Sequence, residues 1–424
     1  MRIMHIFLFS PLLMALAPGL ACSGDPESPT SSTTTSTSSS GTGGQGGEGG
    51  EGGEGGGGGQ GGSGGGVSEC EPESLEVYDG AGYDTNAKVE VTLRAQFTAL
   101  NDLMRTAEVD LANKPTAAEI TALYEAGNPS IKDVTTMYYD GRVLDWFADF
   151  EAAAGNTWMP ANPPAGPGGK YGNYIFSAFG TDLRQAVEKG LFTAAFYNRA
   201  LMIMKDPLDA AAMDRLVTVF GAHPDFPGSS EISDPAIVPH PDRLWAQYAE
   251  RRSPKDPNDS KKPADPKNPG PYFRIKADFI RAKAAVAKGS ACDAARDEAL
   301  SRIMLEWERV MGATVIYYLN DASLKLTKEN PTDSDLAGGL HGYGETMAFI
   351  HGFRGLPADA RVITDAQIDA LLESIGAPHD ADATSYLLVT DPATEVPKLL
   401  AAADEIAKIY GFSAQEVELF KVNH

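Results

Sequence analysis

Positive charge is scarce in this sequence. Against 58 Asp and Glu there are 35 Lys and Arg, a formal net charge of −23 over 424 residues. That balance argues against nucleic acid and anionic lipid surfaces as partners, and for solubility or an attraction for cations. Long apolar runs are missing beyond the first segment: nothing after residue 21 approaches the roughly 18 uninterrupted apolar residues of a membrane span. No convincing alternation of polar and apolar residues occurs, so sheet is expected to be minor or absent. The signatures of nucleophilic and zinc-peptidase catalysis, G-x-S-x-G and His-Glu-x-x-His, are absent, as is a glycine-rich phosphate loop. Cysteine is limited to Cys22, Cys70 and Cys292.

The first segment reads as an export signal, residues 1–21, with Arg2 at its start, an apolar stretch over residues 6–21 and the small Ala21 at its end. Cys22 then stands where the lipobox of bacterial lipoproteins, which this stretch resembles, places its diacylated cysteine. Gly19 and Leu20 depart from that pattern, and ordinary cleavage leaving Cys22 free is the alternative. The resemblance implies a membrane contact through the lipid anchor only, and Ser23 in place of Asp implies the outer membrane. If Cys22 carries lipid, Cys70 and Cys292 remain as an even pair in an oxidising compartment, and a disulfide between them is expected, two buried thiols being the alternative. Residues 22–69, rich in Gly, Ser and Thr, form a disordered spacer with an r.m.s. reach on the order of 35–40 Å.

After Cys70 the composition turns globular. Helical spacing of apolar residues predicts helices over residues 89–109, 134–154, 181–204, 207–220, 272–288, 293–320 and 396–410. Capping boxes at Thr116 with Glu119, Thr364 with Gln367 and Ser413 with Glu416 start others. Residues 156–174 are too rich in Pro and Gly for helix. The expectation is an all-α domain over residues 70–424, roughly ten helices in two bundle-like halves, about 76–222 and 272–424, joined by a Pro-rich segment 223–271 whose one helix covers 242–251.

The stretch over residues 336–355, LAGGLHGYGETMAFIHGFRG, organises the rest. One helical face carries Leu336, Leu340, Tyr343, Met347 and Ile350; another carries small residues with His341 and Glu345. Gly338, Gly339, Gly342 and Gly344 each cost a helix interior roughly 1 kcal/mol relative to Ala, which points to a close approach by another helix or by a ligand. A ligand site is therefore expected at Gly339, His341 and Glu345. At i, i+4 an imidazole and a carboxylate can ligate one metal ion, although an intrahelical hydrogen bond explains the same spacing. Further ligands would come from facing helices, with Glu308 foremost and Glu306 and Glu188 as others; iron or zinc is the expected cofactor. His351 reads as a core histidine. His223 and His240 each precede Pro-Asp, which suits a metal or acid/base site but is also ordinary turn chemistry. Trp158, Tyr171, Tyr174 and Phe176 either line a cleft or cover the bundle end.

The blocks GTDLRQAVEKGLFTAAFY, WERVMGATVIYYLND and HGYGETMAFIHGF, in that order after a lipoprotein signal, resemble a family of exported bacterial helical proteins that is itself similar to the imelysins. The likeness runs from about residue 87 to the end. It implies an all-α fold with two bundle-like halves and a link to iron uptake, and imelysin-like proteins have been classed as metallopeptidases. Their Gly-x-His-x-x-Glu hallmark meets Gly339, Leu340 and His341 here, with Glu345 one residue further on. A lipid-anchored envelope protein binding a metal ion or an iron-linked ligand is the reading that results, with a metallopeptidase and a non-catalytic surface interaction module as alternatives.

Overall fold

The computed structural model describes residues 69–228 and 238–424; the expected export signal, Cys22 and nearly all of the spacer lie outside the described residues. Among the described residues from Cys70 onward the chain is all-α apart from two small antiparallel hairpins, Gly169–Tyr171 with Tyr174–Phe176 and Lys255–Asp256 with Asp259–Pro263. No helix among the described residues is long and apolar enough to cross a membrane.

The axis is a 34-residue helix, Asp293–Leu326, whose seam of Leu300, Ile303, Trp307, Val310, Met311, Val315 and Leu319 is buried. Helices Pro271–Ala287, Asp333–Gly352 and Pro392–Tyr410 pack along it. Its first turn follows Cys292, which is disulfide-bonded to Cys70, so the expected bridge fastens the start of the domain to the head of its longest helix. The capping boxes at Thr116, Thr364 and Ser413 are all formed.

Asp333–Gly352 is the glycine-rich stretch, started by a capping box between Thr332 and Asp335 that satisfies two otherwise orphaned amides. Every residue from Ala337 to Gly352 is buried. Both of its faces are therefore interior: the axial helix covers one and helix Leu183–Leu191 another. Glycine permits this. A Cβ at Gly339 would stand 2.6 Å from Leu326 Cγ, and one at Gly344 would stand 2.8 Å from Asp182 Cβ, well inside carbon contact distance. Gly339 thus serves helix packing, which corrects its expected place in a ligand site. An added Cβ at Gly338 would meet only the flexible Lys325 side chain, at 3.5 Å. The two positions should respond with opposite sign: Gly338→Ala gaining up to roughly 1 kcal/mol from helix propensity, Gly344→Ala losing about 1–3 kcal/mol as Asp182 is displaced. Urea unfolding of both variants checks this, and stabilisation by Gly344→Ala would show that the contact gives way freely.

The helix expected over residues 181–204 is present but not uniform. Leu183–Leu191 widens into a π-helical segment, Phe192–Tyr197, before resuming as Asn198–Ile203, a change of bonding that apolar spacing does not encode. The expected helix in the Pro-rich segment is Leu244–Arg251. Its Trp245 and Tyr248 rings pack against Phe192 and Phe349, so residues 223–271 do more than join two halves. One hydrophobic core runs through both halves and through this helix.

Candidate functional site

His341 and Glu345 lie one turn apart on the glycine-rich helix, 5% and 0% exposed. His341 Nε2 is 3.3 Å from Glu345 Oε1, and its Nδ1 is 2.8 Å from Asp182 Oδ2. Asp182 is the N-cap of Leu183–Leu191: its Oδ1 accepts the Gln185 amide at 3.0 Å while its other oxygen holds the imidazole. The close approach at Gly344 brings this cap within reach. Tyr174, from the first hairpin, stacks on the imidazole at 3.9 Å with 13° between planes, and Tyr171 ties the same hairpin to Asp333 at 3.0 Å.

Donation from Nδ1 to Asp182 fixes the tautomer. Nε2 then faces Glu345 Oε1, a buried atom with no hydrogen-bond partner of its own. Two lone pairs at that distance repel, so either a second proton on the ring or a cation belongs between them. Around the pair, Lys189 Nζ lies 3.8 Å from Glu345 Oε1 and 2.9 Å from Glu188 Oε1, and the Tyr248 hydroxyl donates to Glu345 Oε2 at 3.4 Å. Burial, then the Glu345 charge, holds the Tyr248 phenol above its ordinary range, so it keeps the proton it donates. Arg184 joins Glu108 at 2.8 Å to Glu188. Four carboxylates (Glu108, Asp182, Glu188, Glu345) thus surround two permanent cations and one imidazole, with Lys170, bonded to the Glu108 carbonyl, and Arg251, 5.8 Å from the Tyr248 ring, at the margin.

Burial pushes the Glu108 carboxyl up to about 7, against the pull of the Arg184 guanidinium. Folded Glu108 therefore keeps its proton where the unfolded chain has lost it, and its contribution to stability falls as pH rises from about 4.5 to about 7. Glu108→Gln should remove that part of the pH dependence and leave the protein relatively more stable at pH 8 than at pH 5 when each is compared with the wild type. Urea unfolding at the two pH values checks the sign, and an unchanged difference would mean that Glu108 is ionised throughout.

Of the other expected ligands, Glu188 belongs to this cluster. Glu308 does not, and this corrects its expected role: its carboxylate accepts the Val362 and Ile363 amides at 2.8–3.0 Å and the Tyr410 hydroxyl at 3.0 Å. Gly342 packs beside Tyr318 and Asp321 of the axial helix, and at 1.5 Å per residue Glu308 lies roughly 15 Å too early along that helix. Glu306 pairs with Arg274 at 2.8 Å. His351 is the core histidine expected: burial, with Arg142 and His379 beside it, pushes its imidazole down to about 3. It lines a cleft of about 440 Å³ with Arg142, Asp149, Thr181, Leu183 and Met347. Of the aromatic group, Trp158, Tyr171 and Phe176 pack on one another and Tyr174 alone reaches the imidazole. His223 and His240 meet as a separate pair.

No protein-family model, curated protein or solved structure matches the chain.

Proposed function

We propose that the chain is a lipid-anchored binding protein of the cell envelope whose helical domain takes a metal ion, iron or zinc, between His341 and Glu345. The observation that carries the reading is the pair His341 Nε2 and Glu345 Oε1, buried and 3.3 Å apart. Bonds of about 2.0–2.2 Å to nitrogen and oxygen leave neighbouring ligand atoms about 3.0–3.4 Å apart. Asp182 stands where an orienting carboxylate holds the far nitrogen of a metal-bound imidazole. The resemblance to imelysin-like proteins, and that of the stretch before Cys22 to a lipobox, support the iron link and the anchor. Hydrolysis would need a peptide to reach a metal-bound water, and the burial of His341, Glu345 and Asp182 favours binding over a metallopeptidase.

Protein purified without an affinity tag should carry close to one equivalent of iron or zinc at this site by elemental analysis, lost in Glu345→Gln while the helical circular dichroism is kept. No metal in either form would leave an imidazolium held by two carboxylates, and with it the surface interaction module as the better reading. Peptide turnover in proportion to metal content would instead identify a peptidase. Incorporation of labelled fatty acid that persists in Cys22→Ser would refute the anchor.

A further inference from the structure

Taken singly, His223-Pro224-Asp225 and His240-Pro241-Asp242 are turn sequences. The fold brings them together. The His223 and His240 rings lie 3.9 Å apart with 12° between their planes, and one nitrogen from each, with a carboxylate oxygen of Asp225, falls within 4.8 Å of the others. His223 Nδ1 is 3.0 Å from Asp225 Oδ2, so the pair need open by only a few tenths of an ångström to reach the roughly 3.4 Å between adjacent ligand atoms of a tetrahedral ion with bonds of about 2.1 Å.

The base beneath them is firm. The Arg243 amide donates to the Gly221 carbonyl at 2.9 Å, bracing the approach to one tripeptide against the exit from the other, and the Phe226 amide donates to the His223 carbonyl at 2.9 Å. Ala222, Phe226 and Asp242 are buried, Asp242 accepts the Tyr272 hydroxyl at 2.7 Å, and the Tyr83 ring meets His223 edge-on at 5.0 Å. Only the ligating ends face outward: Asp225 and His240 are exposed and His223 is partly so.

We infer that His223, Asp225 and His240 form a second, surface metal site, selective for zinc or a similar borderline transition ion and independent of the buried pair. Two imidazoles with one carboxylate suit such ions, whereas magnesium and calcium require oxygen ligands. Three protein ligands at the surface leave further positions to water, so the ion exchanges with solution. Binding displaces one weak contact, the Asp225 amide donating to His223 Nδ1 at 3.2 Å, and it also has to part the two stacked rings.

The test is calorimetric titration of zinc chloride into the full chain, purified without an affinity tag and stripped with EDTA, with magnesium chloride as the control. His240→Ala, altered at the surface, and His223→Ala, at a partly buried position, should each lose one zinc equivalent or weaken it at least tenfold. Asp225→Asn should weaken it less, Glu345→Gln should keep it, and magnesium should give no heat. If the buried pair takes no metal, the wild type binds one zinc rather than two and His240→Ala binds none, so the two readings fail separately. Zinc binding with unchanged stoichiometry and affinity in both histidine variants would overturn the surface site, as would equal binding of magnesium.

Discussion

Replacing Arg184 with methionine is expected to cost about 3–5 kcal/mol of folding stability, the range for removing one partner of a buried ion pair. The residue is 1% exposed, and its guanidinium binds Glu108 and Glu188 from two directions. Methionine fills much of the volume and supplies none of the charge, which leaves Glu108 and Glu188 without the guanidinium that bridges them. At pH 8, where Glu108 is ionised, the double variant Arg184→Met with Glu108→Gln should recover a large part of the loss, because Glu108 no longer carries an unpaired buried charge. Urea unfolding of the two variants decides. A single-variant loss below about 1 kcal/mol would mean that water already reaches these carboxylates, and the argument for a desolvated site around His341 would fall with it.

Serine at Cys292 is expected to destabilise the protein by about 2–4 kcal/mol, because the bridge to Cys70 spans 222 residues and removes a large share of the unfolded chain's freedom. The check is denaturation of wild type and variant with and without reductant. Reduction should bring the wild type down to the variant and leave the variant unmoved; equal stability of all four samples would show that the bridge contributes nothing to folding.

Helical periodicity carried the architecture, since every strong apolar stripe corresponds to a buried helix face. The i, i+4 spacing of His341 and Glu345 carried half of the candidate site. The other half was hidden for definite reasons. Asp182 is 159 residues from His341 in sequence, and as the residue before a helix it is fully explained as a cap, so its second oxygen had no separate signal. Glu188 was legible as a candidate, but Arg184 and Lys189 beside it carried no signal of their own, and only the fold shows that they are buried. Glu308 illustrates the converse error: a carboxylate beside Trp307 on a buried seam looked available, but its height along the helix set its partners, and sequence spacing within one helix says nothing about register between two. The glycines pointed correctly to a close approach, and the structure shows a helix and its cap as what approaches.

The sulfur bridge also determines how a pull on the domain would be carried. Tension arriving along the chain ahead of Cys70 meets a covalent fork and crosses directly to Cys292, entering the head of the axial helix and bypassing the intervening loop. That loop, which could otherwise pay out roughly 700–800 Å of contour, is shielded while the bridge is intact. It carries Tyr174 and Asp182, whereas His341 and Glu345 lie beyond the fork, so the two parts of the candidate site hang on mechanically separate branches of the same chain.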